Sequence, residues 1–243
     1  MSYSVLIPAY NPDETLTKIV DNLLIQDIEN IIVVNDGSKD EKIFKDIAQR
    51  KRVRVITHPF NLGKGRALKN GLNFYVASKK SDSAGVVTAD CDGQHLVKDI
   101  VKIGRLLHKR NAVIMGVRDF SSKEVPLKSK YGNLLTCNIF TFLTGLSLKD
   151  TQCGLRGIPV DYVEFFKDLQ GERFDFELNM LLCCKKNRIL IYEEPVNTVY
   201  INNNSSSKFH PVYDSMKIYS TLLGINKLLK DKVVTQMVTF KAK

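Results

Sequence analysis

The spacing of short β-branched runs constrains this chain more than any other feature. Val5-Leu6-Ile7, Ile31-Ile32-Val33-Val34, Val53-Arg54-Val55-Ile56, Gly85-Val86-Val87-Thr88 and Ala112-Val113-Ile114-Met115 recur through the first 117 residues, separated by segments of helical length. Runs that are apolar at consecutive positions predict strands buried on both faces, and their alternation with helices predicts a doubly wound parallel sheet. Such a sheet binds ligands at the carboxyl ends of its strands, so the loops that follow these runs carry the functional weight.

The first helix is predicted from Asn11 as cap, Pro12 in the first helical position, and Asp13 with Glu14 at the positive end of the dipole. Further helices are predicted over Lys39–Gln49, Lys64–Ser78 and Leu96–Arg110. After Arg118 the pattern is mixed: a polar loop, a helix from about Tyr131 to Gly145, an apolar piece near Leu155–Pro159, and helices near Val160–Leu169 and Asp175–Lys186. Ile189–Tyr192 and Val196–Ile201 read as extended, "NNNSSSK" as loop, and Pro211–Lys230 as helix. With 243 residues and 44% apolar content, a single α/β domain is expected.

The formal charge of +10 favours a phosphorylated ligand, nucleic acid or an anionic membrane. Nucleic acid is not expected, because clustered arginine and aromatic motifs are missing. The five cysteines follow no zinc-binding spacing, and no export signal precedes the first apolar run, so a cytoplasmic setting is expected. The charge-free run Tyr131–Leu148 approaches spanning length, but Asn133, Thr136, Asn138, Thr141, Thr144 and Ser147 interrupt it. It reads as a half-buried helix able to lie on a membrane. The stretch from Lys217 to Lys243 holds six lysines against one aspartate, which suits either an anionic bilayer surface or a solvated helix.

Four loops follow predicted strands. In "ADCDGQH", Asp90-x-Asp92 fits either a solvated turn or a site for a hard divalent cation shared with phosphate oxygens. "NLGKG" can offer backbone N–H groups and Lys64 to phosphate, or simply cap a turn. "VVNDGSKD" places Asp36 where a carboxylate can accept from a nucleoside, although Ser38 as a helix cap explains the motif too. His58 and His95 sit in candidate loops as potential substrate contacts, and His108 lies on a helix face.

Taken in order, "VLIPAYNPDETL", "IIVVNDGSKD", "NLGKGRALKNGL", "ADCDGQH", "GVRDF", "DTQCGLRGI" and "ERFDFELNMLL" resemble the family 2 inverting glycosyltransferases of the GT-A fold. The similarity is greatest to the branch of dolichyl- and polyprenyl-phosphate hexose synthases. It implies a Rossmann-like, mostly parallel sheet flanked by helices. It further implies a transferase domain over 1–220, with a nucleotide-binding half at 1–118 and a donor-sugar and acceptor half at 119–220, followed by a basic helix or tail at 221–243.

By the same resemblance Pro8, Ala9, Tyr10, Asn11, Glu14, Asp36, Lys64 and Asp90 would border the nucleotide. Asp90, Asp92 and Gln94 would hold Mg²⁺ or Mn²⁺. Arg118, Lys128 and Lys208 would approach phosphate, and Asp150 and Gln152 the donor sugar. Lys128 stands where the branch leads us to expect arginine, which removes a bidentate clamp. Glu177 and Asp175 match the acidic pair from which a base is drawn. The implied reaction moves a hexose, with UDP-glucose the expected donor, to a polyprenyl phosphate at the inner membrane face. Transfer to a sugar hydroxyl of a glycan is the alternative.

Overall fold

The computed structural model describes residues 2–26, 28–120, 125 and 127–197. Lys208, the segment 221–243 and the side chain of Lys128 lie outside what is described.

Seven strands form one sheet in the order β3-β2-β1-β4-β6-β5-β7. They are β1 (Ser4–Ala9), β2 (Asn30–Asn35), β3 (Val53–Thr57), β4 (Gly85–Thr88), β5 (Val113–Arg118), β6 (Arg156–Pro159) and β7 (Ile191–Val196). The helices are α1 (Thr15–Leu24), α2 (Lys42–Ile47), α3 (Lys64–Ser78), α4 (Val97–Leu107), α5 (Leu127–Thr144), α6 (Val160–Phe166) and α7 (Asp175–Asn187). All ladders are parallel except the two made by β6, which runs against β4 and β5.

The consecutive apolar runs serve both faces, as expected of a doubly covered sheet. Val5, Ile7, Ile31 and Val33 point into a core with Leu16, Val20 and Leu23 of α1 and Ile100 and Ile103 of α4. Leu6, Ile32 and Val34 point the other way, against Leu68, Leu72 and Tyr75 of α3, Phe166 of α6 and Phe176 of α7. A smaller cluster joins Met115 to Phe140 of α5 and Leu181 of α7.

The reversed strand decides where the site forms. Arg156 opens β6 in register with Thr88 at the end of β4 and Met115 in β5. The "DTQCG" segment that leads into β6 therefore reaches the same sheet edge as the loops that leave β1, β2 and β4. A parallel strand here would have sent that segment to the opposite edge.

The start of α1 departs from expectation. The helix begins at Thr15, not after Asn11. Asn11 adopts a left-handed φ of 46°. Its amide N–H donates to Ser38 Oγ (2.8 Å) and its side-chain oxygen accepts from Lys39 N–H (2.9 Å). The residue ties two neighbouring loops together, which costs it the role of cap. Asp13 takes a local role instead, accepting from Thr15 N–H at 2.8 Å.

Gly71 marks the closest approach of α3 to the sheet: a Cβ there would lie 2.1 Å from Leu6 Cδ1, and Leu6 is fully buried. Alanine would gain about 1 kcal/mol of helix propensity but overpack the core by roughly 1–3 kcal/mol. We expect Gly71→Ala to lower stability by about 1 kcal/mol or more in urea titration.

Candidate active site

The carboxyl edge gathers the predicted residues. Pro8 and Ala9 end β1 as buried backbone, with Tyr10 half-buried beyond them and Glu14 exposed. Asp36 follows β2, Asp90 and Asp92 follow β4, and Arg118 ends β5.

Lys64 stands at the centre. Its ammonium lies 2.6 Å from Asp90 Oδ1 and 3.1 Å from Glu177 Oε1, with the Phe174 ring 5.5 Å away. Because Lys64 opens α3, its charge sits at the positive end of a helix, an arrangement that needs nearby anions. Burial alone would lower its pKa, but Asp90 and Glu177 outweigh that and raise it. Burial likewise opposes the charge on Asp90, yet Lys64, followed by His95, holds its pKa down at about 2. Gly154 completes this junction, since a Cβ there would lie 2.7 Å from Asp90 Oδ2 and 3.0 Å from Lys64 Nζ.

Asp36 is buried, and both of its oxygens are engaged. Oδ1 meets His58 Nδ1 (2.8 Å) and the Leu62 N–H (2.9 Å), while Oδ2 accepts from Asn61 Nδ2 and the Gly63 N–H (both 2.9 Å). The "NLGKG" backbone is thus an anion cradle filled by the protein's own carboxylate, not one turned toward phosphate. Gly37 permits this closeness: its φ is +72°, and a Cβ would lie 2.2 Å from the Phe60 carbonyl carbon. His58 is correspondingly a buried bridge between Asp36 and Asn70 (2.9 Å), not a substrate contact.

Asp150 is fully buried, and its oxygens accept from the Arg118 guanidinium in a two-pronged contact (2.7 and 3.0 Å) and from Gln152 N–H (3.0 Å). These bonds occupy the carboxylate expected to face a sugar hydroxyl, and they fix Arg118 at the rim over the Phe120 ring. Gln152 is half-buried and reaches Thr136 of α5 at 3.5 Å.

Arg156, which motif reading leaves without a role, and His95, which it places as a potential substrate contact, both have structural partners. Arg156, fully buried, donates to the carbonyls of Cys153 (3.0 Å), Thr151 (3.2 Å) and Glu177, joining the "DTQCG" segment to α7. A charged residue inside the apolar run "GLRGI" was the available signal, because such a charge must find buried partners. His95 Nδ1 accepts from the Asp90 N–H (3.1 Å), and its Nε2 lies 3.9 Å from both Asp90 Oδ2 and Cys153 Sγ. It is an internal brace behind Asp90 instead of a substrate contact.

Asp92 shows what the paired carboxylates can hold. Burial raises its pKa, and the charge of Asp90 raises it further. Two carboxylates repelling at a strand end fit a divalent cation, which would relieve both. Among the described residues no three His, Cys, Asp or Glu side chains converge on one point, so remaining ligands would come from Gln94, phosphate oxygens and water. Asp175 accepts from the Arg173 N–H (3.0 Å) at the start of α7, while Glu177, two residues on, turns to Lys64.

The Asp90 linkage has a definite sign. Its folded pKa lies below the ordinary 3.8, so its stabilising contribution is complete above that value and is lost as pH falls through about 2. In Lys64→Met, burial opposes the Asp90 charge with its main counter-charge removed and only His95 and Arg118 left to offset it. Its pKa is expected to rise above 3.8, which carboxyl ¹³C NMR titration reads directly.

Comparison with known proteins agrees with this architecture. The UDP-N-acetylglucosamine–dolichyl-phosphate N-acetylglucosaminyltransferase of Methanococcus voltae is 32% identical, over 90% of this chain and 94% of its own. The human dolichyl-phosphate beta-glucosyltransferase is 28% identical, over 91% of this chain and 74% of its own. Among solved structures, glucosyl-3-phosphoglycerate synthase from Mycobacterium tuberculosis, in complex with Mn²⁺, UDP and phosphoglyceric acid, shares the fold. Its TM-score is 0.66 at 18% identity, covering 93% of this chain and 78% of that one. The profile of Glycosyl transferase family 2 matches residues 4–165, and this chain belongs to that family.

Proposed function

We propose that the protein transfers a sugar from a UDP-linked donor to a polyprenyl phosphate of the dolichyl type, inverting the anomeric centre. The observation that carries this reading is the Lys64 junction. It holds one carboxylate of the Asp90–Asp92 pair beside Glu177, which supports a reading in which the diphosphate and the acceptor meet at one edge. Two relatives named for dolichyl phosphate support the acceptor, and the Mn²⁺ and UDP bound by the mycobacterial synthase support the metal and the base.

Each group then has a task. Asp90, Asp92 and Gln94 would hold Mg²⁺ or Mn²⁺, which offsets charge on the departing diphosphate. Lys64 adds a fixed positive charge to the same region, and Arg118, braced by Asp150, presents another at the rim. Tyr10 and the Asn11–Ser38 contact border the nucleotide pocket, with Asp36 shaping its wall through the loop it holds. A phosphate acceptor, with a second pKa of about 6, is already largely dianionic at neutral pH and requires little general-base help. Glu177, tied to Lys64, then orients the acceptor side, and Asp175 sets the helix start.

The donor sugar has two readings. The family resemblance implies UDP-glucose, in line with the human relative named for glucosyl transfer, whereas the Methanococcus voltae relative favours UDP-N-acetylglucosamine. Transfer to a glycan hydroxyl is the remaining alternative and would make Glu177 or Asp175 a base.

Radiolabelled UDP-glucose and UDP-N-acetylglucosamine, each incubated with a polyprenyl phosphate in detergent, decide both questions. The expected outcome is a lipid-extractable product from one donor; label found only in oligosaccharide would overturn the acceptor. Chelation should abolish product, and Mn²⁺ or Mg²⁺ restore it. Asp92→Asn should cut turnover by about 100-fold or more at saturating metal, with the unfolding midpoint retained.

A further inference from the structure

Glu172 lies in the turn between α6 and α7, ahead of Glu177, and commits both its side chain and its carbonyl to α3. Arg66 meets the carboxylate in a two-pronged contact, Nε to Oε2 and Nη2 to Oε1, both at 2.7 Å. Lys69, one turn further along α3, donates to Oε1 at 2.8 Å. The Glu172 carbonyl accepts from the Arg66 N–H at 3.1 Å. Exposed ion pairs usually contribute little, but here a planar fork and a buried ammonium converge on one carboxylate. Lys69 needs an anion because it is buried, and Glu172 supplies it from across the sequence. Burial opposes the Glu172 charge, yet Lys69 and Arg66 outweigh that and hold its pKa below the ordinary 4.5.

This cluster bears on the site through the two helices it joins. Lys64 is the first residue of α3 and Glu177 stands in the first turn of α7, so their separation depends on how those two helix starts are fixed to each other. Gly65 lets them touch: a Cβ there would lie 2.7 Å from Phe176 Cβ and 2.8 Å from the Arg173 carbonyl oxygen. Phe174, from the same turn, brings its ring to 5.5 Å from Lys64 Nζ. Packing sets how near the helix starts come, and the fork on Glu172 sets where along α3 the turn rests. The Lys64 ion pair does not do this alone, because its ammonium lies closer to Asp90 (2.6 Å) than to Glu177 (3.1 Å). A turn released from α3 would leave Lys64 with Asp90 and let Glu177 drift.

We propose that Glu172 is the positioning residue of the acceptor side: by pinning the turn before α7 onto Arg66 and Lys69, it keeps the Glu177 carboxylate at Lys64. The role rests on the glycosyl-transfer reading, in which Glu177 orients the acceptor. A displacement of about 1 Å at such a group is enough to cost up to about 100-fold in rate, so a tie outside the reacting atoms has leverage on turnover.

Glu172→Gln, which drops the charge, and Glu172→Asp, which keeps it, are compared with wild type, each alone and combined with Glu177→Gln. Turnover of the nucleotide sugar with a polyprenyl phosphate is measured beside UDP affinity by calorimetry with Mn²⁺. We expect Glu172→Gln to lower kcat about ten-fold while UDP affinity stays within about two-fold, and Glu172→Asp to recover most of kcat. In the Glu177→Gln background the same change should cost little more, because its effect passes through Glu177. An unchanged kcat in Glu172→Gln, a loss undiminished by Glu177→Gln, or UDP affinity falling in step with kcat overturns the inference and leaves Glu172 a stabilising ion cluster. If Glu172→Gln does not fold, Arg66→Gln takes its place in the cycle, removing the fork while Lys69 stays paired. Absence of transfer by wild type would strike the proposed function instead. The positional claim is then read from urea titration, where Glu172→Gln and Lys64→Met should couple by about three-fold or more in the unfolding constant, and additive changes overturn it.

Discussion

One cation joins the two halves of this molecule. The ammonium of Lys64 lies between Asp90, which follows a strand of the parallel half, and Glu177, in the first turn of α7. Neither carboxylate is placed well for burial alone, and a lysine at the start of a helix is placed no better. Each is tolerable because of the others. Gly154 leaves just the room that the contact needs, and Arg156 secures the backbone on both sides by binding the carbonyls of Thr151, Cys153 and Glu177.

The reversed strand β6 makes that junction reachable. Its direction brings residues 150–156 to the carboxyl edge, where Asp150 fixes Arg118 and Thr88 donates to the Gly154 carbonyl at 2.8 Å. The site is a set of loops clamped to one another by buried charge. Helix α5 is tied to the same loops, with Asn133 donating to the Lys149 carbonyl and Phe140 packed against Met115 of β5.

Much of this was legible in the residues. Consecutive β-branched runs marked the five leading strands, and α3 begins and ends where its pattern predicts, Lys64 to Ser78. The loops that carry the motifs also lie together at one edge of the sheet. Partner choice within that edge was hidden, because a one-dimensional motif does not say whether a carboxylate faces ligand or protein. Asp36 and Asp150 both looked ligand-facing, yet one fills the "NLGKG" cradle and the other holds Arg118. Asn11 looked like a cap because its chemistry suits one, but a left-handed φ and two contacts with the neighbouring loop claimed it. The direction of β6 was equally unreadable, since "RGIP" has the same pattern whichever way it runs.

The claim that Lys64 unites the two halves of a glycosyl-transfer site is tested most directly by a double-mutant cycle of Lys64→Met and Glu177→Gln. Both urea stability and turnover of the nucleotide sugar would be followed. A shared junction predicts a coupling of about 1–2 kcal/mol in stability and a double variant no less active than the worse single one. Additive losses in both quantities would mean that the two residues act separately, and would contradict the account.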